Sequence, residues 1–153
     1  MITIQEIKAT QEKLAGMIAA FTTQAKRRIT FPEADFELND GEEYAGIILG
    51  KDGTPDHHLI LLPGEVEEVN WKDAKEFAAK AGGELPTRRE QALLYANLKE
   101  QYTDNYYWSG EQHAAYSDCA WYQHFDFGGQ GYSSKYIKLR ARAVRRLLRL
   151  PPC

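Results

Sequence analysis

Residues 82–90 read Gly82-Gly83-Glu84-Leu85-Pro86-Thr87-Arg88-Arg89-Glu90. This run ends one helix and starts another. A glycine pair stops a helix because it takes left-handed backbone angles without steric cost. Thr87 followed three residues later by Glu90 is a capping box: each side chain satisfies a backbone N–H at the new helix start. Upstream, Asn70 is placed to cap a helix whose Trp71, Ala74, Phe77, Ala78 and Ala81 share one face. Downstream, Ala92, Leu93, Tyr95, Ala96 and Leu98 form the apolar side of the second helix. Two short helices joined by a tight connector therefore occupy the middle of the chain.

Strand signals lie on both sides of this pair. Residues 43–50 and 58–62 are apolar runs around Lys51-Asp52-Gly53-Thr54-Pro55-Asp56, and Asp-Gly is a strong hairpin signal. From Tyr106 onward the pattern is again strand-like. Residues 121–127 and 132–146 read as a hairpin around Gly128-Gly129-Gln130-Gly131. Ile137, Leu139, Ala141 and Ala143 then point one way, and Lys138, Arg140 and Arg142 the other. The fold class expected is α+β, with two helices on small antiparallel sheets.

The first 28 residues form a different unit. Ile4, Ile7, Gln11, Leu14, Ile18, Phe21, Ala25 and Arg28 follow alternating spacings of three and four, the period of a coiled-coil seam. The expectation is an N-terminal oligomerisation helix over 1–28, making a dimer or a trimer, with Ile4, Ile7, Gln11, Leu14, Ile18 and Phe21 in the seam. An amphipathic helix packed on its own domain is the alternative. Residues 29–42 read as an acidic linker with Phe31, Phe36 and Leu38 as anchors, and 43–148 as the globular domain.

Composition narrows the function classes. The chain has 153 residues and a net charge of −3, which does not suit a dedicated nucleic-acid binder. The charge is uneven: residues 29–70 hold eleven carboxylates and one lysine, whereas 135–149 hold seven basic side chains and no acid. The plainest reading is mutual neutralisation, with the basic stripe on a solvated strand face. No apolar run approaches the roughly 20 residues of a membrane span. Glu6, Lys8, Glu12 and Lys13 stand where a secretion signal needs its apolar stretch. A reducing cytoplasmic setting is the expectation, with a virion as the alternative.

Eleven of the eighteen aromatic residues fall between Tyr102 and Tyr136, interleaved with Ser, Asp, Gln, His and Gly. Rigid amphipathic rings beside small polar residues suit a recognition surface, because they give contact area at low entropic cost. Alternation along 121–127 puts Tyr122, His124 and Asp126 on an exposed side and Trp121, Gln123, Phe125 and Phe127 inward.

The string Trp71…Ala74…Phe77-Ala78…Gly82-Gly83-Glu84-Leu85-Pro86-Thr87-Arg88…Glu90, then Tyr107-Trp108-Ser109, Ala120-Trp121-Tyr122…Phe125…Gly128…Gln130 and Arg140-Ala141-Arg142-Ala143-Val144-Arg145-Arg146, resembles the C-type-lectin-like domain of phage and prophage proteins. That group is similar to the formylglycine-generating-enzyme fold and to variable proteins of diversity-generating retroelements, such as the major tropism determinant. The resemblance covers residues 41–147. It implies Leu85, Trp108 and Val144 in the core and a ligand surface on the end strands and loops. That surface would use Tyr106, Tyr107, Glu111, His113, Tyr116, Asp118, Trp121, Tyr122, His124, Asp126, Gln130, Tyr132 and Tyr136.

Catalytic and metal signatures are weak. The calcium triplets of sugar-binding lectins are missing, and Glu111, Asp118 and Asp126 have no recognisable loop spacing. Formylglycine-generating enzymes need two reactive cysteines near the domain end, and Cys119 with Cys153 does not match their spacing; Cys119 reads as a buried small residue. His57, His58, His113 and His124 have no zinc-ligand spacing. The expectation is a non-enzymatic module without cofactor or metal. Its partner is most simply a host protein, with a surface receptor as the alternative and nucleic acid a lesser one.

Overall fold

The computed structural model describes residues 2–24 and 35–149. Two units emerge, Met1–Phe36 and Glu37–Cys153. In the first, α1 runs from Ile4 to Gln24. It opens on a reciprocal cap: Glu6 N donates to Thr3 Oγ1 at 3.2 Å and Thr3 N donates to Glu6 Oε2 at 3.0 Å. Ile4, Ile7 and Leu14 are 72%, 50% and 52% exposed. Gln11 and Ile18 are exposed as well. The side chain of Phe21, with Ala25, Arg28 and Phe31, lies outside the described residues.

In the second unit β1 (Glu43–Ile48) and β2 (Asp56–Leu61) form the expected hairpin, and Asp52 and Gly53 carry the positive φ angles of its turn. Strand β3 (Val66–Val69) leads to α2 (Trp71–Lys80) and α3 (Arg88–Leu98). Strands β4 (Tyr106–Gln112), β5 (Cys119–His124), β6 (Gln130–Ser134), β7 (Leu139–Ala141) and β8 (Val144–Arg149) complete it. Three strands pair in the order β1-β2-β8 and five in the order β3-β7-β4-β5-β6. The last strand thus returns to the first hairpin, antiparallel to β2.

Both helix starts are as the sequence predicts. Asp73 N donates to Asn70 Oδ1 at 2.9 Å, and the Thr87–Glu90 capping box is complete. The Gly82–Gly83 stop has a second cause besides conformation. A Cβ on Gly83 would lie 2.1 Å from the Val144 carbonyl oxygen, because Glu84 and Val144 form a bridge between the helix connector and the last strand.

Two clusters make the core. One joins Leu59, Leu61, Leu94, Tyr107, Phe125 and Val144; the other joins Trp71, Ala74, Ala78, Leu85, Trp108 and Ala141. Leu85, Trp108 and Val144 are fully or nearly fully buried, as the resemblance implies.

Several expectations are corrected. The run 132–146 is three strands in two sheets, because a turn at residues 135–138 ends β6 and the chain changes sheet at Arg142–Ala143. Period-two alternation fails there, and Ala141, Arg142, Ala143 and Val144 are buried in succession. In α3 the buried positions are Glu90, Gln91, Leu94 and Leu98, whereas Ala92 and Ala96 are exposed. Leu38, expected as an anchor, is 41% exposed. Cys119 is half-buried rather than buried.

Candidate functional site

The arginines of the basic stripe are accounted for by ion pairs and carbonyls, whereas Lys135 donates to Gln112 Oε1 at 2.6 Å and Lys138 is exposed. Arg145 makes a two-pronged pair with Glu42 at 2.7 and 2.8 Å. Arg140 bonds Glu65 at 2.6 Å and Glu67 at 2.7 Å, and Arg149 reaches Asp56 at 3.4 Å. Arg142, expected on a solvated face, is buried and donates to the carbonyls of Leu62 and Gln101. Acids from residues 42–67 thus neutralise basic residues from 140–149. Hydrogen bonds from Arg145 lower the Glu42 carboxyl to about 2, outweighing burial, which raises it.

Among the described residues Glu90 is the most buried carboxylate, with no exposed surface. Arg146 grips it through Nε at 2.7 Å and Nη2 at 2.8 Å, and the His57 ring nitrogen Nε2 lies 2.7 Å away. Burial pushes this carboxyl up, yet the bonds from Arg146 and from Thr87 N–H win and lower it. Arg146 also donates to Glu84 and to the Leu85 carbonyl. This network lies under a cleft of about 280 Å³ lined by Lys75, Glu84, Leu85 and Arg146, whose arginine is already satisfied.

The aromatic stretch divides between the two sides of the five-stranded sheet. Trp121 pairs with Tyr132 across β5 and β6, and Gln123 with Gln130. His113 stacks on Trp121 with centroids 5.0 Å apart and lies 4.2 Å from Tyr132 and 4.9 Å from Tyr116. Arg88 covers Trp121, its Cζ 3.5 Å from the ring centroid. Beside it opens a groove of about 580 Å³ lined by Arg88, Arg89, Glu111, Gln123, Gly128 and Gln130. On the other side of the sheet Tyr106 meets Tyr122 and His124 edge-on at 5.1 and 4.3 Å, and His124 stacks on Phe127 at 4.6 Å.

Sequence-predicted site residues therefore scatter. Glu111, His113, Tyr116, Gln130 and Tyr132 gather around Arg88 and Trp121; Tyr106, Tyr122 and His124 form the second group. Asp118, Asp126 and Tyr136 are exposed outside either ring cluster. Tyr107 is a correction: it is 1% exposed, edge-on to Tyr102 and Phe125, and its hydroxyl donates to Glu65. Odd positions of β4 face the α3 side, which drives this ring into the core. Tyr122 is half-buried, packed against the second core cluster, and its hydroxyl lies over Gly131. Phe127, expected inward, is 68% exposed because β5 ends at His124. Trp121 is half-buried under Arg88 rather than in the core.

Sequence reasoning missed Arg88 and Gln123 as members of the site. Gln130 Nε2 donates to Gln123 Oε1 at 2.8 Å and to the Arg88 carbonyl at 2.7 Å. Gln123 Nε2 in turn donates to the Gln91 carbonyl, and Gln91 Nε2 donates to the carbonyls of Tyr107 and Trp108. This amide relay ties the groove floor to the core.

Comparison with known families supplies the family. The model of the sulfatase-modifying factor enzyme 1-like domain matches residues 6–143. The chain belongs to this family. Its fold is that of the C-type-lectin-like superfamily, with which the three helices and two sheets are compatible. The match begins within α1, earlier than the resemblance read from 41–147. Family members include a modifying enzyme and non-catalytic proteins, so membership does not decide between catalysis and binding. No curated protein matches the chain. Among the described residues no cluster of His, Cys, Asp and Glu is arranged to hold a metal ion, and no helix is long and apolar enough to cross a membrane.

Proposed function

We propose that this chain is a non-enzymatic binding module that recognises a partner protein through the face built by Arg88, His113, Tyr116, Trp121, Gln130 and Tyr132. One observation carries the reading: a stacked set of rings, fixed at its base by Arg88, leaves Tyr116 and Tyr132 53% and 45% exposed. Such partly exposed, immobilised rings beside hydrogen-bonding side chains are the composition of protein hot spots. Tyr106, Tyr122 and His124 provide a second, smaller aromatic surface.

The partner in this reading is a host protein met in the host cytoplasm, and the module is phage-derived and inhibitory. The likeness of the Leu85-Pro86-Thr87-Arg88 and Arg142-Ala143-Val144-Arg145 elements to phage domains supports it. A receptor met by a virion is the alternative. Self-association through α1 belongs to the same proposal, supported by exposed Ile4, Ile7 and Leu14 at coiled-coil spacing. Light scattering of Leu14→Asp tests that part: the oligomer becomes a monomer, whereas a monomeric wild type or an unchanged mass refutes it. Capture of a partner that is lost with Tyr132→Ala, without loss of melting temperature, tests the recognition face. Equal capture by both proteins would refute it.

A further inference from the structure

Arg88 differs from the other described arginines. Arg89 donates through Nη2 to the Leu49 carbonyl. Arg140, Arg145, Arg146 and Arg149 use terminal nitrogens on carboxylates, and Arg142 on carbonyls. Arg88 alone among the described residues has a guanidinium whose two Nη atoms meet no acceptor, although the group is held in place.

Its plane lies over Trp121, with Cζ 3.5 Å from the ring centroid. Its Nε donates to Gln130 Oε1 at 3.1 Å. Its backbone is fixed at both ends: the N–H donates to Glu111 Oε2 at 2.5 Å, and the carbonyl accepts from Gln130 Nε2 at 2.7 Å. The guanidinium is therefore oriented before any ligand arrives. Pre-orientation reduces the ordering cost of binding.

Resting on the recognition reading above, we infer that Arg88 is the anchor of that face and takes a carboxylate from an acidic segment of the partner protein. The groove beside it carries Arg88 and Arg89 against Glu111 alone, and one oxygen of that carboxylate is committed to the Arg88 backbone. A carboxylate matches the open Nη1–Nη2 edge of a guanidinium through two parallel hydrogen bonds, which a lysine cannot reproduce. Tyr132 and Tyr116, on the same face, supply apolar contact next to the anchor. Nucleic acid fits less well. A phosphate backbone needs a run of available cations, and the arginines of 140–149 are already paired within the fold.

The test uses the isotope-labelled full chain, followed through the Arg88 Nε–H and Trp121 indole N–H signals. The probes are a capped ten-residue glutamate peptide, its glutamine counterpart and a ten-nucleotide thymidine strand. The glutamate peptide is expected to shift both signals in a salt-sensitive manner, and the glutamine peptide is not. Arg88→Lys, which keeps the charge and the fold, is expected to weaken the glutamate peptide at least about fivefold through loss of the fork. Absence of shifts with the glutamate peptide overturns the inference. So do equal affinities of wild type and Arg88→Lys, or tighter binding of the thymidine strand. Partner capture separates this inference from the one beneath it. If Tyr132→Ala abolishes capture and Arg88→Lys does not, the module stands and the acidic anchor falls. If neither variant alters capture, both fall.

Discussion

Arg146 and Arg88 both meet the first turn of α3, and they are held in opposite ways. Arg146 spends its donors on Glu84, Glu90 and the Leu85 carbonyl, under a cleft that has no use for them. Arg88 spends one side-chain donor on Gln130 and presents the rest to a groove. The first arginine closes the structure by joining the last strand to a helix start. The second is fixed by stacking and by amides, which leave its charge without a counter-ion. An arginine that is rigid and neutralised serves the fold; one that is rigid and unneutralised is available for recognition.

The largest expected effect breaks the first arrangement. Glu90→Ala leaves the Arg146 guanidinium without its main partner and removes a helix cap; breaking a buried pair in this way costs about 3–5 kcal/mol, read by denaturant unfolding. Retained stability would mean that Arg146 is well served by Glu84 and water. The next effect is acid sensitivity at the other satisfied pair. Glu42 has its carboxyl lowered from 4.5 to about 2 by Arg145, so its contribution is fully present above pH 4.5. It is lost as pH falls from 4.5 towards 2, because the unfolded chain then binds the proton first. Glu42→Gln flattens that part of the stability–pH curve; an unchanged curve would remove the pair from the account.

Tyr122→Ala, on the half-buried ring, is expected to lower the melting temperature measurably, since its loss opens space against the core around Trp108. The smallest effect is at the open arginine. Arg88→Ala removes a surface cation–π contact worth roughly 0.5–1 kcal/mol and the Nε–Gln130 hydrogen bond worth about 1 kcal/mol, and is expected to change stability by no more than their sum. A loss comparable to Glu90→Ala would show that Arg88 is a structural residue and would erase the contrast.

Local signals in the sequence carried much of this fold. The Asn70 cap, the Thr87–Glu90 box and the Asp52-Gly53 turn are written in adjacent residues, and the structure uses all three. Features set by tertiary pairing were hidden. Alternation through 137–143 is present in the residues, but β7 and β8 belong to different sheets, so Arg142 turns inward to the carbonyls of Leu62 and Gln101. Gln91 takes a core position on α3 because its amide has the carbonyls of β4 to bond. In the site, aromatic enrichment pointed to the correct stretch. Which side each ring takes depends on how β4 faces α3, which moved Tyr107 into the core, and on where β5 ends, which moved Phe127 out of it. Arg88 was visible only as a letter of the Leu-Pro-Thr-Arg element. Its role depends on Trp121 and Gln130, distant in the chain, and no local pattern announces it.

The most direct test of the central claim is a comparison of partner capture and melting for wild type, Tyr132→Ala and Tyr122→Ala in one bacterial lysate. The account expects a specific protein retained by the wild type and lost with Tyr132→Ala at unchanged melting temperature, while Tyr122→Ala melts lower. Retention of the same proteins by wild type and Tyr132→Ala would contradict it and take the recognition face off Arg88, Trp121 and Tyr132.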